Sequence, residues 1–220
     1  LQKKDLLMDC PAGHELSEFA QALIHSRQNV LPRRLTAPGP TEPQLQAMLA
    51  AAAAAPDHGR LLPWRFVIVP TAQRQRLAEV FALALQQRDP EATAAQLDNA
   101  REKAHRAPFL MLAIVRLADG GVASGAASPP AHESSEAPVR DAERMVSFGC
   151  AIQNVLLSAH AAGFGAGLTS GQAMESVHLR TVFALQASEH AVCCINIGTV
   201  TQHKPARLRP QVSDYVTTLA

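Results

Sequence analysis

The sequence has almost no net charge, no long apolar run and no paired cysteines, and each absence removes a class of function. Lys and Arg number 20 against 19 Asp and Glu in 220 residues, a formal net charge of +1. A general nucleic-acid or membrane-surface binder needs a basic field, which this balance does not supply. No apolar run approaches the roughly 18 residues that span a bilayer. Leu6-Leu7-Met8, after Lys3 and Lys4, is too short for the apolar region of a secretion signal. The expectation is a soluble cytoplasmic protein with neither a nucleic-acid nor a membrane partner. The four cysteines, Cys10, Cys150, Cys193 and Cys194, include no C-x-x-C pair, and the nine histidines show no H-E-x-x-H spacing. Buried free thiols are therefore expected, and no metal site. Gly167-Leu168-Thr169-Ser170-Gly171 is not a nucleophile elbow, because its serine stands one place late for G-x-S-x-G. Paired catalytic carboxylates and internal repeats are also missing.

Hydrophobic residues make up 47% of the chain, enough for one packed domain with a sizeable core. Residues 1–14, with Pro11 and Gly13, read as a loose lead-in to a single domain over 15–220. Leu16, Phe19, Ala20, Leu23 and Ile24 recur at helical spacing, so a first helix ends near Ser26. Thr41-Glu42-Pro43-Gln44 has the form of a capping box, and the helix it opens is stopped by Pro56. A strand follows over 65–69. Thr71 then caps a third helix, and Asp89-Pro90 restarts one that runs to about Arg106. Phe109 to Val115 is a continuous apolar run of strand length, as in a strand buried on both faces. Residues 118–138, rich in Gly, Ala, Ser and Pro, read as a mobile surface loop. Met145, Phe148, Ile152, Val155, Leu156 and Ala159 form the stripe of a long helix ending at Gly163. A helix over about 175–185, a strand over 191–200 and a short strand over 212–216 complete the reading. Adjacent Cys193 and Cys194 would point to opposite faces of their strand. This order suits an α/β (α+β) fold of three layers, with helices on both faces of a small mixed sheet.

Four segments could carry chemistry. Ser26-Arg27-Gln28-Asn29 leaves the first helix, where an arginine either grips an anion through its planar fork or simply answers the helix dipole. Ala55-Pro56-Asp57-His58, followed by Pro63-Trp64-Arg65-Phe66, joins a helix end, a polar turn and a strand. His58 sits in the turn, not in the core. Gly163-Phe164-Gly165-Ala166-Gly167 leads into Leu168-Thr169-Ser170-Gly171, but it follows a helix, so a dinucleotide fingerprint fails on context. Lys204, Arg207 and Arg209 cluster in the tail, which is equally a solvated charge group.

Taken together and in this order, these segments resemble the FMN-dependent nitroreductase family, in its short single-domain branch. The resemblance spans roughly residues 20–205. It implies FMN as cofactor and NADH or NADPH as co-substrate, with hydride passing in ping-pong fashion through flavin N5 to a small-molecule electron acceptor of nitroaromatic or quinone-like type. No side-chain acid or base is required, so no catalytic residue is named. By the same resemblance Ser26, Arg27, Gln28 and Asn29 meet the phosphate and polar edge of the flavin. Leu168, Thr169, Ser170 and Gly171 pass its ring, and Arg207 closes the phosphate site. His58 reaches across a two-fold axis to the flavin of a partner, which implies a homodimer with FMN at the subunit interface. The stretch from Arg27 to Leu35 is longer by about three residues than in similar proteins. Those proteins often carry Trp-Arg where this chain has Leu168-Thr169, which keeps two alternatives open: a flavin-binding protein without turnover, or a flavin enzyme of the same fold with different chemistry.

Overall fold

The computed structural model describes residues 13–118, 139–202, 205 and 208–219. The lead-in up to residue 12, nearly all of the 118–138 loop, and Lys204 and Arg207 lie outside the described residues.

The centre of the sheet is the apolar run, β3 (Phe109–Arg116), lying antiparallel between β2 (Trp64–Ile68) and β5 (Glu189–Val200). The 12-residue β5 also pairs with β4 (Gly165–Thr169) and, at its far end, with β1 (Leu35–Thr36). Every ladder among the described residues is antiparallel. The one parallel pairing is an isolated bridge between Asn29 and Ala166, so the mixed character expected of the sheet reduces to that bridge.

Alternation along β3 divides the core in two. Met111, Ala113 and Val115 face α2 (Glu42–Ala52) and α5 (Asp141–Ala161), where Met48, Phe148, Ile152 and Val155 are buried. Leu110, Leu112 and Ile114 face Leu77 and Val80 of α3 (Arg74–Arg88) and Leu179 of α6 (Val177–Val182). The result is three layers, helices on both faces of a small sheet. Cys193 belongs to the first core and Cys194 to the second, and both are free thiols. Burial pushes the Cys193 thiol up to about 11 and that of Cys194 up to about 12.

The capping box of α2 forms as expected, with the Thr41 backbone N–H donating to Gln44 Oε1 at 2.9 Å. Three expectations are corrected. Asp89-Pro90 makes a turn, not a helix start, with Ala92 N–H donating to the Asp89 carbonyl at 3.0 Å. α4 (Ala94–Glu102) begins after Thr93, whose own Thr-x-x-Gln box with Gln96 satisfies the first amides, which proline at Pro90 has no means of doing. The 175–185 helix is shortened to α6, because Gln172–Glu175 forms a separate 3-10 turn and Ser176 caps what remains. Val212–Asp214 is a 3-10 turn, not a strand, and it pairs with none of the described strands.

α1 (Gly13–Ser26) has the expected extent but buries nothing. Leu16, Phe19 and Ile24 of its apolar stripe stand in the open. No described helix is long and apolar enough to cross a membrane, and no described cluster of His, Cys, Asp and Glu could hold a metal.

Candidate functional site

The site is built where the chain leaves α1 and runs beside β4. Val30 N–H donates to the Ala166 carbonyl at 2.9 Å, and Asn29 Oδ1 accepts from Leu168 N–H at 3.1 Å. Asn29 therefore pins the exit of the first helix to the glycine-rich strand. Gly167 makes the close approach possible: a Cβ there would collide with the Val30 carbonyl oxygen. Two of the sequence-predicted segments, 26–29 and 168–171, are thus brought side by side.

A cavity of about 250 Å³ lies at the start of β4, lined by Ser26, Arg27, Gln28, Arg34, His160 and Gln202 among others. Ser26 Oγ is 2.7 Å from His160 Nε2, which ties the end of α1 to the end of α5. The Nε atoms of Arg27 and Arg34 are both buried without a hydrogen-bond partner among the described residues. Burial lowers the Arg27 pKa below the usual arginine value, and the charge on Arg209 lowers it further. Arg209 Nη2 donates to the carbonyls of His25 (3.1 Å) and Arg27 (3.0 Å), so this tail arginine caps the C-terminus of α1. The guanidinium groups of Arg27 and Arg34 both line this cavity, Arg209 lies close enough for its charge to act on Arg27, and two Nε donors are unmet among the described residues. A buried donor left unmet costs about 1–3 kcal/mol, so the arrangement suits an anion that supplies the missing acceptors.

A larger cavity, about 440 Å³, lies at the other end of β4. Its volume falls within the ~300–1,000 Å³ usual for small-molecule clefts. Thr169, Ser170 and Gly171 line it, and Gly171 holds φ +146, a backbone conformation that side chains disfavour. Thr169 Oγ1 accepts from the buried Asn196 Nδ2 at 3.0 Å, which fixes the strand end. The two cavities are separated by the length of β4, about 13 Å.

His58 is not brought to this place. It sits in a 3-10 turn, its side chain 62% exposed, with Nδ1 3.9 Å from Glu143 Oε1. Glu143 and His160 mark opposite ends of α5, so within one chain His58 lies about 25 Å from Ser26. The turn itself is held open to solvent: Asp57 accepts the amides of Leu61 (3.1 Å) and Leu62 (2.8 Å), and Arg60 and Leu62 adopt left-handed φ of 51 and 44. Leu168 is 38% exposed at the surface beside Asn29.

Sequence reasoning missed Arg34 and His160 in the smaller cavity, and Arg33, Arg88, Lys103 and Arg106 in the larger. A signal for the first pair of arginines was present. The extra length between Arg27 and Leu35 folds into the 3-10 turn Pro32–Arg34, which sends Arg33 into one cavity and Arg34 into the other. Nothing local marks His160, which is brought in by tertiary packing.

Comparison with known proteins identifies the family. A model of the nitroreductase family matches residues 26–199, which contain both cavity-lining segments. A Haemophilus influenzae protein provisionally named an NAD(P)H nitroreductase is 28% identical over 188 residues, covering 85% of this chain and 93% of that protein. Among solved structures, a nitroreductase-like family protein from Bacillus cereus superposes with a TM-score of 0.71 at 16% identity, over 90% of this chain and 94% of that one. A Desulfovibrio desulfuricans protein solved in complex with FMN gives a TM-score of 0.62 at 20% identity, over 90% and 95%. With a family match over most of its length, a three-layer fold shared with these structures and its cavities along the strand that follows the long helix, this chain belongs to the nitroreductase family.

Proposed function

We propose that the chain is an FMN-dependent NAD(P)H oxidoreductase, a homodimer whose flavin lies along β4 with its phosphate in the smaller cavity and its ring at the larger. The observation that carries this reading is the pair of arginines, Arg27 and Arg34, lining one cavity with Nε atoms that have no partner among the described residues. A phosphate there meets the cationic guanidinium groups of Arg27 and Arg34, and its negative charge offsets the repulsion between Arg27 and Arg209. Ser26 Oγ and Gln28 add neutral hydrogen-bonding groups. The distance between the cavities suits a ligand with an anionic end and a planar end. FMN is the group bound to the Desulfovibrio protein of the same fold.

Held there by Ser26, Arg27, Gln28 and Arg34, FMN would supply the hydride-transfer chemistry that links NAD(P)H to the acceptor. The net balance for a quinone is NAD(P)H plus a proton giving NAD(P)+ and the hydroquinone. The residues of the chain bind and orient. Arg27, Arg34 and Ser26 hold the anionic end, Asn29 fixes the strand against which the ring lies, and Asn196 steadies Thr169. The Ser170-Gly171 backbone borders the reacting edge.

Two features support the dimer. The apolar stripe of α1 (Leu16, Phe19, Ile24) and the tail residues Val212, Tyr215 and Val216 are exposed, leaving apolar surface that a second copy would cover. His58 lies about 25 Å from Ser26 of its own chain's smaller cavity and is presented on an exposed, hydrogen-bonded turn, as a residue reaching into a partner's site would be.

The test is FMN affinity. The purified protein is expected to release about one FMN per chain. Arg27→Gln and Arg34→Gln should each weaken binding about ten- to a hundredfold, the loss of roughly 1.5–3 kcal/mol of charge-assisted hydrogen bonding. Flavin retained as tightly in both variants would overturn the phosphate assignment. A monomer by light scattering would overturn the role given to His58.

A further inference from the structure

The larger cavity has a charge pattern that holding the flavin ring does not account for. Its inner wall is apolar, with Phe81, Leu85, Leu110 and Met174, and its rim is cationic, with Arg33, Arg88, Lys103 and Arg106. Among the described residues, no Asp or Glu lines it. Two of the four cations are tethered by the fold. Arg88 Nη1 donates to Gln172 Oε1 at 3.0 Å, so the side chain arches from α3 to the turn after β4. Arg106 Nη2 donates to Asn99 Oδ1 at 2.6 Å and lies 4.0 Å from Glu102. Arg33 and Lys103 have no carboxylate within 4.0 Å among the described residues. A rim of like charges over low-dielectric walls focuses a positive potential into the opening and raises the local concentration of anions.

We propose that the acceptor selected here is an aromatic compound carrying a carboxylate, with Arg33 and Arg88 as the specificity-determining residues. The apolar wall takes the ring, Thr169-Ser170-Gly171 borders the group to be reduced, and the carboxylate turns to the rim. The planar guanidinium of Arg88, already oriented by Gln172, suits a two-point contact with that carboxylate. The carboxylate itself is unchanged in the reaction. The inference rests on the flavin reading only in requiring the acceptor to reach the 169–171 segment.

The experiment compares 4-nitrobenzoate with the neutral, nearly isosteric 4-nitrobenzamide. Binding to the protein as purified is measured by titration calorimetry, and KM and kcat are measured separately in turnover. The parent is expected to bind the carboxylate about tenfold tighter than the amide, with the preference falling as salt is raised. The double variant Arg33→Gln/Arg88→Gln should lose that preference through KM for the carboxylate, while its FMN content stays at the parent value. Equal binding of the two compounds by the parent, or a preference that survives in the variant, overturns the proposal. So does a variant whose KM for NAD(P)H rises as much as that for the carboxylate, since the rim would then be reading nucleotide phosphates. Failure of the flavin reading looks different: a protein that neither releases nor takes up FMN still reports, by calorimetry, whether the rim distinguishes the carboxylate.

Discussion

Replacing Gly167 by alanine adds one methyl group, yet it should be among the more damaging changes available in this chain. The Cβ would be driven onto the Val30 carbonyl oxygen and would also crowd Asn29 Oδ1 at 3.2 Å. Neither neighbour is the loose end of a flexible side chain. Val30 is hydrogen-bonded to Ala166 and Asn29 to Leu168, so relief requires the 29–30 backbone to leave β4. Overpacking costs about 1–3 kcal/mol, and with backbone on one side and a hydrogen-bonded side chain on the other the upper part of that range is expected. For a chain of this size about 3 kcal/mol lowers Tm by roughly 6–12 °C. Two other glycines serve as controls measured in the same way. Gly149 lies inside α5 with nothing within 4 Å of a Cβ, and Gly149→Ala should stabilise by about 0.5–1 kcal/mol. Gly163 is equally uncrowded but holds φ +83, so Gly163→Ala should cost about 1–2 kcal/mol through backbone strain alone. The assay is thermal unfolding followed by circular dichroism, with FMN retention read on the same samples. Only Gly167→Ala should lose both stability and flavin. If Gly167→Ala melts with the parent, or if Gly163→Ala is the worse of the two, the account of how the first helix is fastened to β4 is wrong.

Acid and thiol chemistry give two further tests. Arg65 grips Glu189 with two bonds of 2.8 Å, and this contact, with the Gln186 amide, holds the Glu189 carboxyl below the usual glutamate value. A depressed carboxyl contributes stability that is full above its unfolded value, about 4.3, and is lost as pH falls through the folded one. Glu189→Gln should therefore remove about 2 kcal/mol at pH 7 and flatten the acid limb of the stability curve, as read by urea unfolding at several pH values; an unchanged limb refutes the assignment. Cys193 and Cys194, both buried with raised thiol pKa values, should resist a thiol reagent in the folded protein and react only after denaturation. Rapid native labelling of either residue would contradict the two-core packing.

The parts of the fold legible in the sequence are those whose cause is local. The run from Phe109 to Val115 needs only its composition to be read as a strand buried on both faces, and Thr41 with Gln44 announces a helix start in four residues. Thr93 and Gln96 make the same announcement, but the Asp-Pro before them is a competing signal, and the capping box prevails because it satisfies amides that proline has no means of satisfying. The 212–216 segment has strand-like spacing, but a strand needs a neighbour, and the sequence does not say whether one stands beside it. The site follows the same division. Ser26, Arg27 and the 168–171 stretch were singled out through the family resemblance, whereas His160 meets Ser26 across 134 residues of chain, a contact that only tertiary packing creates. Arg33 and Arg34 were visible as a basic pair, but their separation into two cavities depends on a turn whose direction is set by β1 pairing with β5.

That pairing bears on how the molecule comes into being. Leu35 finds its partner at Val200, and β3 and β4 also complete their ladders on the same late strand. During synthesis no complete sheet can exist until residues 189–200 have left the ribosome. Until then β3, the most apolar strand, has only β2 to pair with and one open edge. Loop closure over such separations is slow, so the nascent chain must carry an uncovered strand edge from the synthesis of β3 until β5 has emerged, a window in which chaperone binding and aggregation compete with folding.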